Sequence, residues 1–220
     1  MPNVDRTDHR VLAVWLAALL TTTTGAAGPA PRTAGTPAPP SGSVGITVLN
    51  VTGSGCRPGT TAVAMSPDNT AFTVTYSGYL AQVGVGAGRN DGVQDCRINV
   101  QLRPPAGYAD AVDSVDYRGF ASLATGASAT QSAIFYVNGT AKPPYRVYPF
   151  TGPFSDDWQT TDVPATPVYG ACGATRVLSI DTQLVVATGS SDPAATTSFI
   201  AMDSTDSSAR STYHLGWTHC

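Results

Sequence analysis

From Cys96 to Leu102 the chain alternates strictly, with Cys96, Ile98, Val100 and Leu102 on one side and Arg97, Asn99 and Gln101 on the other, before Pro104 and Pro105 close the run. A period of two sends successive side chains to opposite faces, so the segment is a half-buried strand. Runs of the same kind occur at Ile46–Val51, Ala71–Tyr76, Val112–Leu123, Ala127–Val137, Arg176–Ala187, Thr197–Met202 and Ser211–Trp217. Turn-forming residues separate them, among them Ser66-Pro67-Asp68-Asn69, Asn90-Asp91-Gly92, Thr125-Gly126 and Asn138-Gly139. Many short strands with such punctuation predict an all-β fold, an antiparallel β-sandwich of jelly-roll-like kind, with a closed β-barrel as the alternative. The residue choice agrees. Glu is absent and Lys142 is the single lysine, which removes the straight side chains that suit helix surfaces, while the abundant Thr and Val suit strands.

Arg6 and Arg10 precede an apolar run from Val11 to Leu20, and the small residues from Gly25 to Ala27 offer a cleavage point, the pattern of a secretory signal peptide over residues 1–27. The apolar run falls well short of the ~20 residues needed to span a bilayer. Residues 28–42, GPAPRTAGTPAPPSG, read as a Pro/Ala/Gly-rich linker, and 43–220 as a single disulfide-stabilised β domain. Cysteines stand at 56, 96, 172 and 220, an even set behind an export signal, where oxidation is the default. Three pairings are open to them. Cys56 with Cys96 and Cys172 with Cys220 is favoured, because each pair then brackets one run of strands, and no C-x-x-C spacing argues for a metal instead. No cysteine lies near the cleavage point to carry a lipid and no apolar tail follows Cys220, so the expectation is a secreted, extracellular protein with no membrane anchor.

The formal charge of −3, spread along the chain, forms no basic patch for a phosphate backbone, which argues against nucleic acid as a partner. The catalytic inventory is thin. His9 leaves with the signal peptide, and His214 and His219 are five apart on a predicted strand, facing opposite ways unless a bulge intervenes. No G-x-S-x-G elbow is present. Without Glu, a glycosidase would need two aspartates about 5 to 10 Å apart. Asp156 and Asp157 are adjacent and would splay, Asp116 sits two residues from Arg118 as a local ion pair, and Asp110, Asp113, Asp162 and Asp181 remain as partners. No catalytic residue is assigned, and the reading leans away from an enzyme. No cofactor or metal site is assigned either. Calcium is the ion the loops suggest, through Asp68/Asn69, Asn90/Asp91/Asp95 and Asp156/Asp157, although none has EF-hand spacing and all are ordinary turn formers.

The stretch from Pro143 to Trp158, PPYRVYPFTGPFSDDW, breaks the alternation, and its four prolines exclude a central strand, leaving a long ordered loop or an edge segment. It carries Tyr145, Tyr148, Phe150, Phe154 and Trp158. Held rigid by Pro149 and Pro153, these rings could form a platform that stacks on sugar rings or a protein partner, with Asp156 and Asp157 beside them for hydroxyls. The candidate ligand residues are therefore Tyr145, Tyr148, Phe154, Asp156, Asp157 and Trp158. The competing arrangement folds the rings over the edge of the core. Two sequons, at Asn50 and Asn138, complete the motifs.

Three segments together carry a family likeness: GSGCRPG at 53–59, SVDYRGFASL at 114–123 and TGPFSDDW at 151–158. On these the chain resembles the secreted family called domain of unknown function 4360, of filamentous fungi and actinobacteria, from about Ser43 through the closing YHLGWTHC to Cys220. The resemblance implies an exported, cysteine-bearing β domain and brings no established activity, cofactor or catalytic residue. The functional expectation is a non-catalytic extracellular module that binds a glycan, a cell envelope or a protein surface. The alternatives are a secreted polysaccharide-active enzyme using aspartates and a structural protein without a small ligand.

Overall fold

The structure is a computed structural model and describes residues 37–202 and 210–220; the expected signal peptide and the linker up to residue 36 lie outside them. Every regular element among the described residues is a strand: β1 (Gly45–Thr52), β2 (Thr61–Met65), β3 (Ala71–Tyr76), β4 (Leu80–Gly84), β5 (Val93–Arg103), β6 (Tyr108–Leu123), β7 (Ser128–Val137), β8 (Arg146–Thr151), β9 (Phe154–Asp162), β10 (Arg176–Ala187), β11 (Thr197–Ala201) and β12 (Arg210–His219). They form two antiparallel sheets. The first runs β1-β5-β10-β7-β8 and the second β2-β3-β12-β6-β11-β4, with β9 pairing β6 along Val115–Leu123. The first sheet ends on β1 and β8 and does not close, so the molecule is a sandwich and the barrel alternative falls away.

The alternation that marks the strands also makes the core. Cys96, Ile98, Val100 and Leu102 of β5 and Leu178, Ile180 and Leu184 of β10 point inward from the first sheet. Phe72, Val74, Val115, Tyr117, Ile200, Tyr213 and Trp217 meet them from the second. Phe72 and Tyr213 lie flat on one another at 4.6 Å between ring centroids, an arrangement worth about 0.5–1.5 kcal/mol beyond the area buried. Two disulfides staple the ends. Cys56–Cys96 ties the loop after β1 to buried β5, and Cys172–Cys220 ties the loop before β10 to the chain end, with Cα atoms 5.3 and 6.0 Å apart.

The linker's last residues belong to the folded surface. Asn69, in the left-handed conformation at φ 58, donates through Nδ2 to the carbonyls of Pro40 (2.9 Å) and Gly42 (2.8 Å), and its own carbonyl accepts from the Trp217 indole at 2.8 Å. One turn residue thus pins the incoming chain onto the last strand.

The proline-rich stretch is strand and not loop over most of its length. Only residues 143–145 and the turn at 152–153 lie outside regular structure; β8 is the edge of the first sheet, β9 an edge of the second, and a tight turn through the cis Gly152–Pro153 bond passes the chain between them. Prolines fit because both strands are edges. Pro149, opposite Thr130, needs no partner for the N–H it lacks, since among the described residues no strand lies beyond β8.

Candidate functional site

The edge position decides the fate of the aromatic cluster. With β8 and β9 in opposite sheets, their inward residues face one another: Tyr148 and Phe150 from β8, Trp158, Thr160 and Asp162 from β9. Trp158 is only 5% exposed, lies opposite Gly119 on β6, and has Phe150 5.5 Å away. Phe150 in turn meets Phe154 at 6.0 Å. These rings close the sandwich edge, so the expected platform is corrected: Trp158 presents no face to a ligand, and Phe154 is half-buried against the core. Tyr148 is turned inward too, its hydroxyl 2.7 Å from the Thr161 carbonyl and 2.5 Å from Asp162 Oδ1; burial first, and the Asp162 carboxyl after it, push the phenol up to about 12. Asp156 and Asp157 are exposed, and Asp156 Oδ1 accepts from the Asp157 backbone N–H at 2.8 Å. Of the six expected ligand residues, Tyr145 is the aromatic left at the surface, 42% exposed.

Tyr145 belongs to a different assembly, on the outer face of the first sheet. The outward residues of β10 are Val177, Ser179, Asp181 and Gln183, and those of β5 include Arg97, Asn99 and Gln101. Asp181 is buried on this face because neighbours cover it: Arg97 Nε donates at 3.0 Å, Lys142 Nζ at 2.7 Å and the Tyr145 hydroxyl at 3.5 Å. The carboxylate holds Arg97 and Lys142 above their ordinary values. The Lys142 ammonium lies over both the Tyr136 and Tyr145 rings, 5.5 and 5.2 Å from their centres. The residues from 138 to 145, between β7 and β8, are thereby strapped over the sheet. Beside this lies a row of neutral polar groups. The Ser179 hydroxyl is shared between Asn99 Oδ1, at 2.6 Å, and the Asn138 amide, while Asn99 Nδ2 donates to Asn50 Oδ1 at 2.6 Å. Amides and a hydroxyl so cross three strands, β1, β5 and β10, to the turn that follows β7, with two tyrosines and three charges at their flank. Both sequon asparagines are members of the row.

Sequence reasoning named Asp181 only among possible catalytic partners and Lys142 only as the single lysine, although the outward half of the alternation in Arg176–Ala187 carries Asp181. Several other titratable groups are in structural pairs. Asp116 is bound by the Thr161 hydroxyl (2.6 Å) and lies 3.0 Å from His214 Nε2. The expected pair with Arg118 does not form, because side chains directly opposite across a ladder lie nearer than those two apart along one strand. His214 faces outward, and His219 stacks near Tyr108 at 4.4 Å, so the two do not meet. Arg176 is buried against Asp110 and also donates to the Val168 carbonyl at 3.1 Å. No group of three or more metal-ligating side chains occurs among the described residues. Asp68 is taken up by Ser66 and Thr70, whose bonds lower it to about 2, Asp91 by the Gly88 N–H, and Asp95 by Ser54.

The family model described as Domain of unknown function (DUF4360) matches residues 42–220. An uncharacterised secreted protein of Arthroderma benhamiae is 32% identical over 192 residues, which is 86% of this chain and 77% of that one. Among solved structures, the enzymatically active domain of tailspike protein 4 of bacteriophage CBA120 aligns at a TM-score of 0.25 and 11% identity, over 81% of this chain and 19% of that one. A family 11 carbohydrate-binding module of Clostridium thermocellum, in complex with a β-1,3-1,4-mixed-linked tetrasaccharide, aligns at 0.21 and 10% identity, over 78% and 88%.

Proposed function

We propose, from the premise that this secreted chain belongs to the family described as Domain of unknown function (DUF4360), that it is an extracellular module binding a glycan along the outer face of its five-stranded sheet. The observation that carries the reading is the pairing on one face of a solvent-facing tyrosine, Tyr145, with the amide and hydroxyl row Asn50, Asn99, Ser179 and Asn138. Sugars need both: a flat apolar ring for the C–H face of a pyranose, and amide and hydroxyl partners for its hydroxyls. The side chains stand on paired strands, which places their spacing under the control of the sheet. Asp181, by fixing Lys142 and Tyr145, sets where the ring lies.

The test is retention of the purified, oxidised protein on insoluble chitin, cellulose, β-glucan and peptidoglycan. Retention on one polymer is expected, with Tyr145→Ala and Asn99→Ala each weakening it by about tenfold, or roughly 1.4 kcal/mol. Retention on none, or retention that neither substitution changes, removes this reading.

A further inference from the structure

A second concavity lies on the other side of the 138–145 segment. Between that segment and residues 163–168, where the first sheet's β8 edge and the end of β9 part, a cleft of about 570 Å³ opens, within the range of small-ligand sites. Its walls are aliphatic and aromatic, with Val112, Phe135, Pro143, Val163, Pro164 and Leu178 among them. They hold few hydrogen-bonding groups. A sugar would leave most of its hydroxyls unpaired here, at a cost of about 1–3 kcal/mol each, whereas an apolar body would gain from every methylene it buried.

The polar lining is limited and uneven. Arg176 is committed to Asp110 and the Val168 carbonyl. Asp162, 4% exposed, is engaged by Tyr148. The Tyr148 hydroxyl has one hydrogen and two acceptors, the Thr161 carbonyl and the Asp162 carboxyl. That hydrogen is shared between the carbonyl and the carboxyl, and burial raises Asp162 above its ordinary value although the bond from Tyr148 and the charge of Arg146 work against it. Arg146 is different. It lines the cleft, is exposed at the rim, and its guanidinium makes no ion pair or side-chain hydrogen bond among the described residues, although its charge acts on Asp162 and Tyr148. The cleft therefore combines apolar walls with one uncommitted guanidinium, a group whose forked donors match a carboxylate.

We propose that this cleft binds a small aliphatic monocarboxylate, its carboxylate on the Arg146 guanidinium at the rim and its chain against the Val, Pro and Phe walls. The site is separate from the sheet face, and the two readings stand or fall independently.

Calorimetric titration with decanoate, decanol and decylamine, using the full oxidised protein, tests it. Decanoate is expected to bind, with Arg146→Gln weakening it at least tenfold and leaving the thermal midpoint unchanged, as suits an exposed side chain. A bulkier residue in the wall, Val163→Trp, should abolish binding without loss of fold, since Val163 is 61% exposed. Decanol binding as tightly as decanoate, decylamine binding more tightly, or an unaltered affinity in Arg146→Gln would each overturn the assignment. So would the absence of any decanoate binding. Retention on polysaccharide by the same Arg146→Gln protein is read in parallel, and its outcome bears on the sheet face alone.

Discussion

At the level of single residues, two contacts decide more than their neighbours. Gly119 on β6 is the surface on which the Trp158 indole rests: a Cβ there would run into the Ala201 carbonyl on one side and the indole ring on the other. Gly119→Ala is therefore expected to destabilise by about 1–3 kcal/mol through overpacking, and Trp158→Ala by about 3–5 kcal/mol through the cavity it leaves. Denaturant midpoints at unchanged slope would show both; a silent Trp158→Ala would mean that the indole is not part of the core. Asp181 acts differently, because its side chain is 4% exposed while Arg97 and Lys142 are 57% and 43% exposed. The pairs themselves contribute little at such exposure. What Asp181→Ala removes is the anchor of residues 138–145, and the expected result is faster limited proteolysis of that segment at a small loss in global stability.

At the level of elements, the strands with clear alternation were legible and the others were not. Ala71–Tyr76 and Arg176–Ala187 are strands at the bounds their periodicity marks, and Cys96–Leu102 lies inside β5. By contrast β2 and β4 have five residues each, and of these Ala81 alone is buried, so they are too short and too mixed to stand out from turns. β8 and β9 were hidden by their prolines. A sequence shows that Pro149 cannot sit in a central strand, and it does not show that an edge is available to receive it. The same limit applied to the site. The aromatic density of 145–158 was visible, yet whether Trp158 and Phe150 faced water or the core depended on β8 and β9 belonging to opposite sheets. The disulfides were easier, since each brackets a run of strands. They also differ in access: Cys56 and Cys96 are buried at 0% and 2% exposure, while Cys172 and Cys220 are exposed. Under mild reductant, alkylation followed by peptide mapping should label Cys172 and Cys220 first. By loop length, 40 and 48 residues, each bridge is worth about 4 kcal/mol, so loss of either should be felt in the unfolding midpoint.

At the level of the whole molecule, Asp162 and Asp116, on opposite surfaces of the second sheet, pull the pH dependence of stability in opposite directions, and Asp68, lowered to about 2, acts in the same direction as Asp116. Burial raises Asp162 above its ordinary 3.8. The folded state then holds this proton more tightly than the unfolded chain, so the contribution is complete below 3.8 and is lost as pH rises through the raised value. Burial also works to raise Asp116, but the bonds from Thr161 and His214 outweigh it and leave it lowered. Its contribution is complete above 3.8 and is lost as pH falls through the lowered value. Unfolding free energy followed from about pH 2 to 7 by denaturant titration should thus show a rise on the acid side and a fall beyond it from these groups. Asp162→Asn should flatten the fall and spare the rise, and Asp116→Asn should lessen the rise and spare the fall, the Asp68 share of the rise remaining. If Asp162→Asn left the fall intact, the Asp162 proton would not be held by the fold, and the bond from the Tyr148 hydroxyl together with the Arg146 charge would outweigh the burial of the carboxylate.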